Sequence, residues 1–393
     1  MASLERKAPT EKIMKSRRDV LALFAGAAAP WPRRARASQA MLDEAVGFAG
    51  QVLFLAAKVP ALVIGAVQNG HTSIQGFGRR FDGADASPDA RTLFRIGSVT
   101  KAFTGQVLAS LAADSVVGLA DPLTRYAPEF IAPLSEGGRP IRLVDLATHS
   151  AGLPREVPHE RGPPGDPYAT ITPEAFTAWL ESHPLLFTPG TAVSYSNFGF
   201  DLLAIALARA ARKPYPALLA ERVLQPLGLA DTTFAPSPEQ APRVMPGHFF
   251  DGKAMPAVPT GPVIVGSGGL YSSPGDLVRW LAWHLDRFDQ RDAAARLIDH
   301  AAWLWRDGLN SVFGVDESGR MDAMGLGWVI MAPEGDRPLI LQKAGGLEGV
   351  FSYVAFAPER NLGVMAAINA FDFNAGFAMA KTANDLIADL APR

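Results

Sequence analysis

The sequence predicts an α+β fold: an antiparallel sheet built from both chain ends and flanked by helices, with a mainly helical domain inserted. Three observations lead to this expectation. Asn69-Gly70 separates two apolar runs within residues 61–78, which is typical of a β-hairpin. Strand-like segments follow one another between residues 326 and 370, and helical patterns fill much of the chain between these regions. One sheet that receives strands from both termini accounts for this order.

Each element has its own signal. Apolar residues recur at helical spacing from Ser98 to about Ala113. Ser273 suits the N-cap of a later helix and Pro274 its first position. The predicted helices are 98–113, 174–182, 198–212, 215–226, 272–285 and an amphipathic one at about 373–391. The predicted strands are LGWVIM, PLILQKAG, GVFSYVAFA and LGVMAAINA, with PERN (358–361) as a turn.

These elements predict a division of the chain. Residues 38–110 and 262–393 would form the sheet domain, and 111–261 the mainly helical domain, with the active site between them. The proline-rich stretch 235–262 is expected to be a loop that crosses between the two.

The first 37 residues have the layout of an export signal. Arg17 and Arg18 precede an apolar run that ends at Ala29, and Ala35-Arg36-Ala37 is a small-x-small cleavage site. Paired arginines before the run indicate the twin-arginine type. We therefore expect cleavage after Ala37 and a periplasmic protein. The run is too short for a stable membrane span, and none is predicted in the mature chain.

Charge and composition exclude several classes of function. The signal holds nine of the 37 Lys and Arg and three of the 39 Asp and Glu, so the remainder carries 28 and 36 and a net charge of about −8. This balance argues against nucleic acid or an anionic membrane as a partner. The sequence has no cysteine, which excludes disulfides and thiol catalysis. Histidines do not cluster at metal-ligand spacing, and no metal or cofactor is predicted.

FRIGSVTK (94–101) places a serine three residues before a lysine at the start of a helix. Lys101 would then lie on the same helix face as Ser98. Burial and the positive end of the helix dipole disfavour an ammonium there, so a neutral lysine could take the serine proton. Ser-x-x-Lys alone is a weak signal, because a capping serine and a solvated lysine give the same pattern.

Two further motifs supply partners. Tyr195 in SYSNFGFD could act as a base or proton relay, and Asn197 could donate its amide to Lys101 or to a substrate. In QKAGGLEG, Lys343 would add positive charge and Gly345 would let a substrate backbone approach. The amides of Gly346 and Ser98 could form an oxyanion hole. Serine-x-x-lysine, tyrosine-x-asparagine and lysine-x-glycine in this order predict an acylated serine.

With these motifs in place, almost the whole mature chain resembles the class C β-lactamase-like serine hydrolases. IRLVDLATHSAGLPRE, SYSNFGFDLLAIALA and GSGGLYSSPGDLVRWL read like that family, and LPRE and GLGWVIMAP look most like its AmpH-type D-alanyl-D-alanine carboxypeptidase/endopeptidases. The resemblance implies a β-lactamase/transpeptidase-like fold and peptidoglycan peptides or β-lactams as substrates. It implies Ser98 as nucleophile, Lys101 and Tyr195 as the base pair, and Asn197 and Lys343 as substrate-positioning groups.

One departure keeps a second enzyme class open. The third motif is usually Lys-Thr-Gly in this family, whereas Ala344 stands here. A lost hydrogen bond to a carboxylate costs roughly 1.5–3 kcal/mol. A carboxylesterase of short acyl esters is therefore the alternative, and a non-catalytic muropeptide sensor is the alternative outside enzymes. Intact Ser98 and Lys101 argue against the sensor.

Four other residues invite a functional interpretation. His149 is expected to be structural, because the family places its segment in a turn away from the nucleophile. Glu348 could line the pocket rim, but a solvated loop charge is the expectation. Arg155 and Glu156 remain the most speculative candidates.

Overall fold

An eight-stranded antiparallel sheet lies at the centre of the molecule, and both ends of the chain supply its strands. The computed structural model describes residues 38–81, 86–132, 138–163, 165–259 and 261–392. The sheet order is β2-β1-β12-β11-β10-β9-β8-β6. The predicted α+β class, with a sheet built from both termini, is confirmed.

The strands are short at one edge of the sheet and long in its centre. Those of the main sheet are β1 (Ala61–Gln68), β2 (His71–Gly78), β6 (Leu304–Trp305), β8 (Ala323–Met324), β9 (Val329–Met331), β10 (Ile340–Leu347), β11 (Val350–Ala357) and β12 (Leu362–Ile368). Two small pairs lie outside it: β3 (Phe94–Arg95) with β5 (Tyr271–Ser272), and β4 (Val193–Ser194) with β7 (Val312–Phe313).

The first hairpin follows from its turn. Asn69 has φ +51° and Gly70 has φ +84°, which is the conformation that a two-residue hairpin turn with the right twist requires. Gln68 then pairs with His71, and the register continues to Ala61 opposite Gly78. The predicted hairpin at 61–78 is confirmed.

Helices cover both faces of the sheet and fill the middle of the chain. They are α1 (Gln39–Ala57), α2 (Thr100–Ala113), α3 (Leu143–Ala147), α4 (Pro173–Ser182), α5 (Asn197–Ala211), α6 (Tyr215–Leu219), α7 (Gln225–Leu227), α8 (Pro274–Leu285), α9 (Ala293–His300) and α10 (Phe373–Leu390). Alternate residues of β1 divide between the two buried clusters: Val63 belongs to the cluster on the side of α8, and Ile64 to the cluster on the side of α1.

The structure differs from the expected helices in two places. The predicted helix at 215–226 is α6, a π-helical turn (Ala220–Leu224) and α7, because Pro226 has no N–H to continue the helical hydrogen bonds. Helix α1 was not expected at all. Ser38 caps it by accepting a hydrogen bond from the Met41 amide.

Within the described residues, α1 is long and apolar enough to cross a membrane by length and composition alone. Here it lies on the sheet with Leu42, Val46 and Leu53 buried, which is the behaviour of a core helix. Residues 37–393 form one compact unit, so the boundaries at 111 and 262 stay predictions. The predicted signal, residues 1–37, lies outside the described residues.

Candidate active site

Ser98 lies in a tight turn that leads straight into a helix. Residues Gly97–Val99 form a 3-10 turn, and α2 follows at Thr100. Gly97 has φ +48°, and a Cβ there would lie 2.6 Å from the Gly346 nitrogen. Only glycine permits this approach, so the serine is held directly against β10.

Lys101 is buried one helical turn after the serine. Its Nζ donates to Ser98 Oγ at 3.1 Å, to Asn197 Oδ1 at 2.5 Å and to the Ser267 carbonyl at 2.7 Å. Burial lowers the pKa of Lys101 to about 7, although the carboxylates of Asp201 and Glu156 oppose the shift. A substantial fraction of this amine is therefore neutral near pH 7 and can accept the serine proton.

Tyr195 approaches the same serine from the other side. Its hydroxyl donates to Ser98 Oγ at 2.5 Å. Lys101 and Lys343 lie 4.9 and 4.8 Å from the centre of its ring, and the Arg155 guanidinium lies 4.7 Å from it. Three basic side chains therefore lie around the aromatic ring of Tyr195.

The position of Tyr195 and Asn197 follows from the way in which α5 begins. Ser196 is the N-cap: its Oγ accepts from the Gly199 amide and donates to the Pro154 carbonyl. The backbone N–H of Asn197 donates to the Arg155 carbonyl, with 2.8 Å between nitrogen and oxygen. The segment 154–156 therefore fixes the turn that carries both side chains.

Strand β10 forms the opposite wall. Lys343 is buried in the middle of this strand, and burial lowers its pKa to about 8. A Cβ at Gly345 would lie 2.0 Å from the Ile96 carbonyl oxygen and 2.9 Å from the Ser98 nitrogen. Gly345 therefore contacts the turn that carries Ser98. From the sequence we expected a substrate backbone, and not this turn, to approach the glycine.

A cavity of about 490 Å³ opens in front of these groups. Ser98, Tyr195 and Lys343 line its polar side. Ala344 lines it too, and aromatic rings close the far side: Phe351, Phe371, Phe373 and Phe377. The arrangement offers a nucleophile, two adjacent proton acceptors and a partly apolar binding surface.

Comparison with known proteins agrees with this geometry. The sequence profile described as "Beta-lactamase" matches residues 38–389. The chain belongs to the beta-lactamase family. Together with the relatives below, this makes it a serine hydrolase.

Two relatives and one structural neighbour were compared with the chain. The chain is 36% identical to the D-alanyl-D-alanine-carboxypeptidase/endopeptidase AmpH of Escherichia coli K12, over 86% of this chain and 87% of that protein. A β-lactamase/D-alanine carboxypeptidase from Yersinia pestis, solved with citrate, superposes with a TM-score of 0.80 at 35% identity, over 90% and 99% of the two chains. A class C β-lactamase from Rhodobacter sphaeroides shares the fold, with a TM-score of 0.73 at 22% identity, over 88% and 99%.

The beta-lactamase-family site contains every residue that the sequence motifs selected. Ser98, Lys101, Tyr195 and Asn197 are joined by hydrogen bonds. Lys343, Gly345 and Gly346 lie on the neighbouring strand. Their individual roles in catalysis stay predictions.

Asp201 was missed from sequence. It lies one turn after Asn197 on α5, is buried, and accepts hydrogen bonds from the amide and hydroxyl of Ser267, whose carbonyl holds Lys101. Burial raises the pKa of Asp201 well above its usual range. A single acidic residue in the apolar run FGFDLLAIALA was the available signal.

The expectation that Glu348 is a solvated loop charge is wrong. Its side chain is 11% exposed and pairs with Arg95, with 3.0 Å between Oε1 and Nη2. Glu348 and Gly349 both have positive φ and form the two-residue turn between β10 and β11. This turn folds the carboxylate back against Arg95, which also donates to the Val258 carbonyl.

His149 is structural but lies next to the site. Its ring stacks on Tyr195 with 4.5 Å between centroids, and its Nδ1 accepts from the Ser196 amide. Burial, with help from the charges of Lys343 and Lys101, lowers the pKa of His149 well below its usual range. A neutral imidazole therefore supports the tyrosine.

Glu156 also has a definite contact. Its carboxylate accepts a hydrogen bond from the Asn197 side-chain amide. That bond orients Asn197 so that its oxygen faces Lys101.

Proposed function

We propose that this chain is a periplasmic D-alanyl-D-alanine carboxypeptidase/endopeptidase of peptidoglycan peptides, which works through an acyl-enzyme on Ser98. Penicillin binding and weak β-lactamase activity belong to the same proposal. The observation that carries it is the placement of Ser98 Oγ between Lys101 Nζ, at 3.1 Å, and the Tyr195 hydroxyl, at 2.5 Å. Similarity to the AmpH protein supports the choice of substrate.

In the proposed acylation, Ser98 Oγ attacks the carbonyl carbon of the D-Ala-D-Ala peptide bond. Its proton passes to the neutral Lys101 amine, directly or through Tyr195. The backbone amides of Ser98 and Gly346 stabilise the oxyanion. When the C–N bond breaks, the proton moves on to the leaving amine, and the acyl group stays on Ser98.

Deacylation repeats this sequence with water. Lys101 and Tyr195 take a proton from the water, the hydroxide attacks the ester carbonyl, and the proton returns to Ser98 Oγ as the ester bond breaks. Lys343 would pair with the carboxylate of the terminal D-Ala or of a β-lactam, provided that its amine carries a proton.

A specific observation favours a carboxylesterase as the second candidate. Ala344 supplies no hydroxyl for a substrate carboxylate, and four phenylalanines line the far side of the cavity. An uncharged acyl ester fits such a surface better than a charged peptide end does, because a buried carboxylate needs paired donors.

The two functions are separated by substrate. The purified mature chain is assayed for D-alanine release from a peptide ending in D-Ala-D-Ala and for hydrolysis of p-nitrophenyl butyrate. The peptidase proposal predicts D-alanine release that the Ser98→Ala variant abolishes. Ester turnover without D-alanine release would replace it with the esterase. Binding of muropeptides that survives Ser98→Ala, with turnover of neither substrate, would indicate the sensor.

Restoring the usual third motif gives a sharper prediction. Ala344→Thr adds a hydroxyl where the cavity receives the substrate, and threonine suits a strand. A hydrogen bond to a charged group is worth roughly 1.5–3 kcal/mol, so kcat/KM for the D-Ala-D-Ala peptide should rise about 10-fold or more. Ala344→Val is the matched control of similar shape without the hydroxyl, and it should give no gain. Equal effects of the two variants would contradict the explanation.

A further inference from the structure

A cluster of two histidines and one aspartate lies outside the active site, and the mechanism does not use it. His284 is near the end of α8, and Asp299 and His300 close α9. His284 and Asp299 are fully buried, and His300 is 15% exposed. Their ligand atoms lie within 4.8 Å of one another.

The distances fit a metal ion. His284 Nδ1 lies 2.8 Å from His300 Nε2, and Asp299 Oδ2 lies 3.6 Å from the first nitrogen and 3.7 Å from the second. A point equidistant from these three atoms is about 2.0 Å from each, which matches the bond lengths of zinc to imidazole and carboxylate. The 2.8 Å contact is a hydrogen bond between the two rings, and the ion would replace its shared proton.

The carboxylate also lacks a counter-charge. Asp299 Oδ2 accepts from Trp328 Nε1 at 3.0 Å, whereas Oδ1 is buried without a hydrogen-bond partner among the described residues. Isolating an ionised carboxylate from water is costly unless a cation compensates it. The Trp328 hydrogen bond is of the kind that orients metal-binding carboxylates from outside the coordination sphere.

Aromatic rings surround most of such a site. Rings of Trp280, Trp328 and Phe356 pack around His284, with centroids 4.7, 5.1 and 4.9 Å from its own. Zinc with three protein ligands needs a fourth, and water would supply it on the side of His300, which is 15% exposed.

We propose that His284, Asp299 and His300 bind a divalent first-row transition-metal ion, with zinc as the best fit to two imidazoles and one carboxylate. The ion joins the end of α8 to the end of α9. Arg296 is a nearby cation that opposes it, although its guanidinium lies over the Trp283 ring and donates to the Asp289 carbonyl. Trp280 connects this cluster to Phe103 of α2 by ring stacking, with 3.9 Å between the two ring centroids.

The site is tested on the mature chain without a polyhistidine tag, stripped with EDTA and dialysed against metal-free buffer. Zinc is then titrated by calorimetry, and cobalt is added as an optical probe of coordination. One equivalent of zinc should bind, and a hundredfold excess over its dissociation constant should raise Tm by about 4 °C.

Asp299→Asn is the decisive variant. Asparagine has nearly the same shape as aspartate, and its side-chain oxygen can accept the Trp328 hydrogen bond in place of the carboxylate. This variant should fold, keep its Tm without metal, and bind zinc more than about 100-fold more weakly. His183→Gln, at an exposed histidine that directly follows α4, is the matched control and should bind normally.

Several results would overturn the proposal. Stoichiometric binding that survives Asp299→Asn would place the metal elsewhere, and binding lost in His183→Gln would identify surface chelation. Absence of any Tm shift or cobalt absorption in the wild-type chain would also contradict it. If Asp299→Asn fails to fold, His300→Gln replaces it, because His300 is the least buried of the three ligands. Zinc binding by this variant is then compared with that of the wild-type chain. None of these results depends on the hydrolase activity, so the proposed function stands or fails separately.

Discussion

At the level of single residues, Lys101 and Lys343 lie near Ser98 and have different proposed roles. Lys101 contacts Ser98, Asn197 and Ser267, whereas Lys343 lies on the opposite wall beside Tyr195. Burial is the main cause of the lowered pKa of both amines. Lys101 must lose its proton to act as a base, and Lys343 must keep its proton to bind a carboxylate.

These opposite requirements predict the pH dependence of kcat/KM. The neutral fraction of Lys101 grows as pH rises through about 7, so activity should rise there. The protonated fraction of Lys343 falls as pH rises through about 8, so activity toward a carboxylate-bearing peptide should then decline. The peptide profile is expected to be a narrow bell, and a neutral p-nitrophenyl ester should show the rising limb alone.

Full pH profiles of both substrates check this prediction. Lys343→Met should remove the falling limb for the peptide and leave the ester profile unchanged. A rising limb near pH 10 for either substrate would show that Lys101 is not the base that limits acylation.

At the scale of the element, backbone conformation determines where the site groups lie. The turn Asn69-Gly70 sets the first hairpin, and the turn Glu348-Gly349 sets the β10–β11 pair that carries Lys343. Both turns need residues with positive φ, which glycine adopts without strain.

A pair of glycine substitutions tests this reading. Gly70→Ala should lower the free energy of unfolding by about 1–2 kcal/mol, because alanine is strained at φ +84° although no atom obstructs it. Gly47→Ala, in α1 with open space around its Cβ, should raise that free energy by about 0.5–1 kcal/mol. Urea unfolding of both variants measures the difference, and equal signs would contradict the account.

Local sequence patterns predicted many of the helices, strands and turns. Turn residues, caps and apolar periodicity gave the hairpin, α8 with Ser273 as its cap, and the strands between 326 and 370. Helix α1 was not predicted, although Ser38 is a typical capping residue at its start. The chain is helical from 215 to 227 as predicted, but the π-helical turn at Ala220–Leu224 was not foreseen, because the missing N–H of Pro226 changes the local hydrogen bonds.

Contacts between distant residues explain the other errors. Glu348 pairs with Arg95 only because the sheet brings the β10–β11 turn to the serine turn. Likewise, His284 and His300 meet through the packing of two helices, so no short spacing marks them. Sequence motifs selected the residues that the structure brings together around Ser98, because the proposed chemistry restricts residue type, and they could not select the residues that support this cluster.

At the scale of the whole molecule, the proposed export route has a direct consequence. Cleavage after Ala37 would leave Ser38 as the first residue, and Ser38 is the N-cap of α1. The cleaved chain would therefore keep the hydroxyl that caps its first helix.

Replacing Arg17 and Arg18 together by lysine should block export through the twin-arginine route. Fractionation and intact mass of the secreted form measure this: wild type should be periplasmic and begin at Ser38, and the variant should stay inside with its signal attached. A periplasmic variant would contradict the assigned signal type. Replacing Lys12 and Lys15 by arginine is the matched control, and export should continue.

Acylation of Ser98 by a penicillin-like carbonyl underlies the whole proposed mechanism, and intact mass spectrometry detects it. The mature protein and its Ser98→Ala variant are incubated with benzylpenicillin, and their masses are recorded over time. We expect an added mass equal to the whole drug on the wild-type chain, located on the peptide that contains Ser98, and none on the variant. An adduct that persists in Ser98→Ala, or a wild-type chain that neither gains mass nor consumes the drug, would contradict it.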